Sequence, residues 1–377
     1  MTNTSEPRPG PGPTLPITGV RSAQVLMGCE ALEPSLSFFV QTLGFRIDAI
    51  FPADDPGVAM LSGHGLHLRL TRGAPRGLEA LYLLCDDPAA ATDGQTRFTA
   101  PNGVRIELVA ADPAMTLPTT RQSLVLTRAA TDTQWCVGRA GMRYRDLLPG
   151  RHGGAFIASH IRILDGGPVP DYVHFHKIRF QTIVCRKGWV RVVYEGQGEP
   201  FVMYAGDCVL QPPEIRHRVL ESSAGAEVVE LGTPAQHITM ADHTMALPTP
   251  DQYPQRDFGG QRFVRHIAAE GTWLPWRMDG FEMRDTGIGA ATAGLAGVRV
   301  LRPIPGHSGT ERQQHATEFC FYFVLNGQLT VEVDGQPLAL ASDDGITVTD
   351  TTAYRFSAAS PDLELLEVTL PALVEPL

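Results

Sequence analysis

Apolar positions follow two different patterns along the chain. In residues 35–45, Leu36, Phe39, Val40 and Leu43 fall at helical spacing, and Gly44 stands where a helix C-cap needs it. Runs of β-branched and apolar residues flank this segment, 23–27 before it and 45–51, 58–61 and 66–70 after it, which predicts a βαβββ order. Further strands are expected over 80–85 and 95–98. From residue 140 onward the helical period disappears. Short apolar runs alternate with glycine turns, the pattern of an all-β region.

That β region repeats itself. Shifted by 139 residues, Arg145 falls on Arg284, Asp146 on Asp285, Gly167 on Gly306, His176 on His315, Gly188 on Gly327 and Gly196 on Gly335. Glycines recurring at one offset between strand-like runs indicate two copies of one strand-and-turn unit. Each copy has the length and turn density of a double-sheet barrel.

Composition narrows the setting. The 377 residues include 38 Gly and 30 Pro, with 43% hydrophobic and 19% charged residues, which suits a turn-rich, core-forming protein and excludes coiled coil or collagen. The formal charge of −10 gives no attraction to phosphate backbones or anionic lipid, so nucleic acid and membrane are not expected partners. No apolar run reaches the length that spans a bilayer, and residues 1–16 carry neither a basic nor an apolar leader segment; they read as a disordered tail. Six scattered cysteines without a CxxC are expected to be reduced thiols, which places the chain in the cytoplasm.

The candidate chemistry lies in the first copy. Gly167 is followed by His174-Phe175-His176, Gln181 and Gly188; then come Gly206-Asp207, Pro212 and His217. Residues two apart on a strand face the same way, so His174 and His176 project together. These two motifs resemble the paired signatures of the cupin superfamily. The resemblance implies tandem cupin barrels (mainly β, double-stranded β-helix or jelly-roll) preceded by an α+β domain. It also implies metal ligands at His174, His176, Gln181 and His217. Three imidazoles suit iron(II) first, with zinc, nickel or manganese as alternatives. Gln181 departs from the pattern, which has Glu there. An amide adds no charge, so a divalent ion would stay strongly cationic and favour anionic chelating substrates. In the second copy the offset leaves only His315; Gln313, Cys320 and the 354–356 stretch take the other places, and a His315/Cys320/Glu318 zinc site is the one alternative to a purely structural barrel. Arg179, Arg216 and Arg218 are candidates for steering an anion, and Tyr194 and Glu221 for acid–base work.

The first hundred residues carry a second resemblance. Ser35, Phe38, Phe39 and Leu43-Gly44-Phe45, with the closing Asn102-Gly103 turn and Glu107, are similar to the glyoxalase/bleomycin-resistance (vicinal oxygen chelate) superfamily. Glu107 falls on its last-strand ligand position and Gln24 nearest its first, while 80–85 offers no ligand, so a degenerate domain is expected. The expected organisation is a tail (1–16), this domain (17–112), a linker (113–139), the metal-binding barrel (140–245), a second linker (246–275) and a degenerate barrel (276–377). The expected function is a metal-dependent enzyme acting on a small anionic or enolisable molecule. A dioxygenase-type oxidoreductase comes first. A redox-neutral cyclase, isomerase or lyase, or a non-catalytic small-molecule-binding bicupin, are the alternatives. Cupins often dimerise through edge strands, so a homodimer is expected.

Overall fold

The structure, a computed structural model, describes residues 17–74, 77–92, 94–99 and 105–376; the expected tail and the Asn102-Gly103 turn lie outside them. The chain is mainly β and divides into two compact units, residues 1–115 with 238–241, and residues 116–237 with 242–377.

In the first unit the strands Arg46–Phe51, Val58–Gly63, Leu66–Arg72 and Val20–Cys29 lie side by side in that order, the last pair parallel. That arrangement is the expected βαβββ module. Gly77–Cys85, Arg105–Ala110 and Arg97–Thr99 extend the sheet beyond Val20–Cys29, and Ile238–Ala241 joins the other edge by pairing Ala49 with Met240. The helix Leu32–Ser37 continues as a wider π turn, Phe38–Thr42, before Gly44 at φ 72°. Leu36, Phe39 and Val40 pack on the core of Leu61, Leu68 and Leu70. The widened turn rotates its end outward, so Leu43 is exposed, contrary to the simple helical expectation.

The second unit holds both copies of the repeat. Each has a large seven-stranded sheet, and the two sheets match strand for strand. Register fixes the equivalence: Gln181 lies opposite Gly232 as Cys320 lies opposite Thr369, and Ile183 opposite Glu230 as Tyr322 opposite Glu367. No sheet closes on itself, so each copy is a pair of facing open sheets rather than a hydrogen-bonded closed barrel.

Short strands within the segments expected as linkers join the sheets. Val125–Thr127 precedes the first barrel yet pairs with Gly345–Thr347 of the second. Val264–His266 precedes the second barrel and pairs with Cys208–Leu210 of the first. Thr127 lies opposite Gly345 and His266 opposite Cys208; Thr127 and His266 are again 139 residues apart, so the repeat includes these arms and each copy lends its arm to the other. Runs of three residues such as these are too short to show a strand period; they pair because an edge strand presents unsatisfied backbone groups.

The two large sheets pack against each other through a shared core. Phe156, Phe180 and Val184 from one meet Phe319, Phe321 and Phe323 from the other, with Phe156 and Phe319 stacked at 4.2 Å between centroids. This explains the densest apolar run in the sequence. In Phe319–Asn326 the odd positions (319, 321, 323, 325) face the shared core, while Cys320, Tyr322 and Val324 point inside the second barrel. A strand buried on both faces loses the polar alternation of a half-solvated one.

The six cysteines are free thiols, all buried but Cys136. Burial pushes the Cys185, Cys208 and Cys320 thiols up to about 12, so these three are packing groups rather than nucleophiles. Among the described residues no helix is long and apolar enough to cross a membrane.

Candidate metal centre

The strand His174–Lys177 alternates buried and half-buried residues, which turns both histidines inward and Phe175 and Lys177 outward. His217 opens the strand His217–Ser222 and lies directly opposite His174. The three imidazoles are buried and close: ring centroids lie 4.2 Å apart for His174 and His217, 5.3 Å for His174 and His176, and 5.2 Å for His176 and His217. One ring nitrogen from each falls within 4.8 Å of the other two.

The tautomers are set by the backbone. His174 Nδ1 lies 2.8 Å from the Tyr172 carbonyl and His217 Nδ1 2.9 Å from the Ile215 carbonyl. Carbonyls only accept, so each Nδ1 carries the proton and each Nε2 keeps a lone pair for the interior. Burial, the neighbouring imidazoles and the Arg139 guanidinium hold His174 well below the ordinary histidine value. Burial above all does the same for His176, and lowers His217 to about 4. All three are neutral at pH 7, the form that ligates.

Gln181 points into the same interior from Phe180–Lys187. Its Nε2 donates to Glu230 Oε1 at 2.5 Å, while its buried Oε1 has no hydrogen-bond partner; neither does the buried His174 Nε2. Buried polar atoms are rarely left so. Two orphaned acceptors beside two further imidazoles fit a divalent cation, and so the residues present suit the metal that the motif implies.

Several neighbours had no motif to announce them. Asp171 accepts from the Val219 amide at 2.9 Å and from the buried Arg139, and its Oδ1 lies 3.7 Å from His174 Nδ1. His237 packs against His176 at 5.3 Å between centroids, with Nδ1 3.0 Å from the Pro234 carbonyl. Glu230 brings a carboxylate against Gln181, so the site is less cationic than the four donors alone imply. Only the register of the second copy would have revealed Glu230 in the sequence, because the equivalence runs at 137 residues there, two residues short of the main repeat.

Other candidates fall elsewhere. Tyr194 is buried beside His217, its ring nearly parallel at 5.4 Å, and its hydroxyl accepts from Gln211 at 2.8 Å. Burial raises its pKa, so it is no base at neutral pH. Glu221 is half-exposed and paired with Arg191 at 3.2 Å, outside the histidine cluster; a register slip after Val219 turns it outward. Arg216 lies over the Phe175 ring and bonds Asp242, and Arg179 pairs with Glu318 at 3.0 Å. That pair takes Glu318 away from His315, so the imagined second zinc site does not assemble.

In the second barrel Gln313 bridges to Tyr354 as His174 does to His217. His315 Nε2 lies 2.9 Å from the Tyr354 hydroxyl, which meets Tyr322 at 2.7 Å; Tyr322 donates to Glu367 at 3.0 Å, and Arg277 pairs with Glu367 at 2.5 Å. A hydrogen-bonded ion pair fills the place of the metal site. Among the described residues one other group of three potential ligands converges, His160, Glu227 and Asp343. Its members bond instead to Arg145, Arg162 and Arg186, which leaves no reason for a cation there.

Comparison with known proteins agrees with this architecture. Residues 300–369 match the family model for the cupin domain. This stretch is a cupin domain. It belongs to the second barrel, the copy without the histidine cluster. Among solved structures, salicylate 1,2-dioxygenase from Pseudaminobacter salicylatoxidans is similar at 15% identity and a TM-score of 0.51, over 69% of this chain and 90% of its own. Oxalate decarboxylase from Lactobacillus farciminis, in a formate complex, follows at 10% identity and 0.50, over 71% and 89%. The protein Ylba of E. coli is similar at 13% identity and 0.50, over 70% and 97%. A search of curated proteins found no match. At these identities the likeness is one of fold, that of two-barrel cupins. In unit 1, Gln24, Tyr82 and Glu107 lie in one row across the sheet. Tyr82 occupies the middle strand, and Glu107 is engaged by Arg105 at 2.9 Å and Arg97 at 3.5 Å.

Proposed function

We propose that the first barrel binds one divalent metal ion through His174, His176, Gln181 and His217 and acts as an enzyme on a small anionic or enolisable molecule. The observation that carries this reading is the convergence of three buried, neutral imidazoles beside the partnerless Gln181 Oε1. When bound, the ion would supply Lewis-acid or oxygen chemistry. The chain's own residues orient the donors: the Tyr172 and Ile215 carbonyls fix two imidazoles, and Glu230 holds the amide. A dioxygenase-type reaction with iron(II) is the first reading. Its support is the three-imidazole donor set, together with the fold shared with a salicylate 1,2-dioxygenase.

One observation favours a redox-neutral second reading. His237 stands beside His176 with Nδ1 turned to a carbonyl, which leaves Nε2 as a proton acceptor near the cluster. An isomerase, cyclase or lyase needs such a base. Unit 1 is read as a glyoxalase-like module without a working site, since arginines hold Glu107. The experiment is metal analysis of untagged protein followed by an oxygen-uptake screen with small carboxylates and diketones. Stoichiometric iron with oxygen consumption supports the oxygenase reading. Stoichiometric zinc without oxygen use supports the second, and metal-free protein that binds no added ion sinks both.

A further inference from the structure

We propose that Glu230 is a positioning residue for the metal centre. It fixes the Gln181 amide with Oε1 toward the histidines, and it supplies from the adjacent strand the negative charge that an amide ligand lacks. The inference rests on the reading that the first barrel holds a divalent ion.

The geometry shows one orientation of the amide. Gln181 Nε2 donates to Glu230 Oε1 at 2.5 Å, so the nitrogen side of the amide faces the carboxyl group. The oxygen then faces the interior, where it is buried without a partner. Without Glu230 nothing in that contact would prevent the amide from turning its NH2 toward the site, where it would repel a cation rather than ligate it. A hydrogen bond to a charged acceptor also polarises the amide and makes its oxygen a better donor atom.

The second copy supplies an independent observation. Glu367 stands at the same register position, opposite Tyr322 as Glu230 is opposite Ile183. There Cys320 replaces the amide, and the carboxylate is taken instead by Arg277, Tyr322 and the Trp276 indole. A carboxylate on this strand thus serves whatever its barrel contains: a cationic guanidinium in one copy, the amide of a metal centre in the other.

The test uses full-length protein, with Co2+ as the probe, in wild type, Glu230→Leu, Glu230→Gln, Gln181→Glu and the exchange pair Gln181→Glu/Glu230→Gln. Affinity is read by competition with a chromophoric chelator, and site geometry by the Co2+ visible spectrum. Glu230→Leu is expected to weaken Co2+ binding about 10–100-fold, the usual effect of losing a ligand's hydrogen-bond partner, and to change the spectrum. Glu230→Gln keeps an acceptor for the amide, so it should retain the wild-type spectrum with a smaller loss of affinity. It also tests the idea should the leucine variant fail to fold. Gln181→Glu alone removes the N–H that Glu230 accepts and sets two carboxyl groups against each other, so it should bind Co2+ more weakly than the exchange pair. The exchange pair should restore affinity to the wild-type level or above it. Wild-type affinity and spectrum in both Glu230 variants would overturn the positioning role while leaving the metal centre standing. Absence of Co2+ binding by wild type would overturn both.

Discussion

Thr127, thirteen residues ahead of the expected start of the first barrel, is the strand partner of Gly345 in the second. With the reciprocal pairing of His266 and Cys208, it ties the two copies into one folding unit. Residues 116–377 should therefore unfold in a single calorimetric transition. Two separate transitions for the barrels would contradict the exchange. A fragment confined to residues 140–245 lacks none of the metal ligands, yet it loses the Val264–His266 edge and should be unfolded by circular dichroism.

The shared core should be the costliest place to make a cavity. Phe319 is buried, stacked on Phe156 and near His152. Phe319→Ala is expected to lower stability by about 3–5 kcal/mol in urea titrations, the range for a fully buried aromatic. A loss below about 1 kcal/mol would mean the two sheets do not pack as described.

The ion pair inside the second barrel gives an asymmetric expectation. Arg277→Met leaves Glu367 its hydrogen bonds from Tyr322 and Trp276 but, as a cation, the more distant Arg299 at 3.4 Å, and should cost about 3–5 kcal/mol. Adding Glu367→Gln removes the buried charge as well and should recover most of that loss. Non-recovery in the double variant would show that the guanidinium matters for packing rather than for charge.

Metal stoichiometry should follow the first barrel alone. His217→Ala is expected to abolish tight binding of one ion per chain, whereas His315→Ala should leave the stoichiometry unchanged, because His315 is hydrogen-bonded to Tyr354. Metal content after dialysis decides this. Equal losses in the two variants would place ions in both barrels.

Acid sensitivity has an identifiable source between the barrels. His160 Nε2 donates to Glu227 at 2.7 Å and Arg145 donates to His160 Nδ1, so the imidazole is neutral. Burial opposes the Glu227 charge, but His160, Arg162 and Lys187 outweigh it and lower the carboxyl to about 2 from an ordinary 4.5. A depressed carboxyl stabilises the fold above its unfolded value. That stability, up to about 3 kcal/mol, is lost as pH falls from about 4.5 towards 2. Burial also lowers His160, so the unfolded state takes up a proton first and the decline begins below about 6.5. Urea midpoints from pH 7 to 3 should fall accordingly, and less steeply in Glu227→Gln. An unchanged slope in that variant would remove the pair as the cause.

The sequence by itself determined the unbroken apolar run that made Phe319 to Leu325 a buried strand, the glycine-punctuated repeat, and the histidine spacing that turns His174 and His176 to one side. These are local facts: side-chain period and turn chemistry depend on neighbours in the chain. Tertiary structure decided the rest. It brought Glu230 to Gln181 across 49 residues and set His237 beside His176. It turned supposed linkers into exchanged edge strands, and it moved Glu221 out of the site through a register slip. None of these leaves a periodic trace, because a contact across a sheet depends on register between strands distant in sequence, and a single slipped residue sends a side chain to the opposite face.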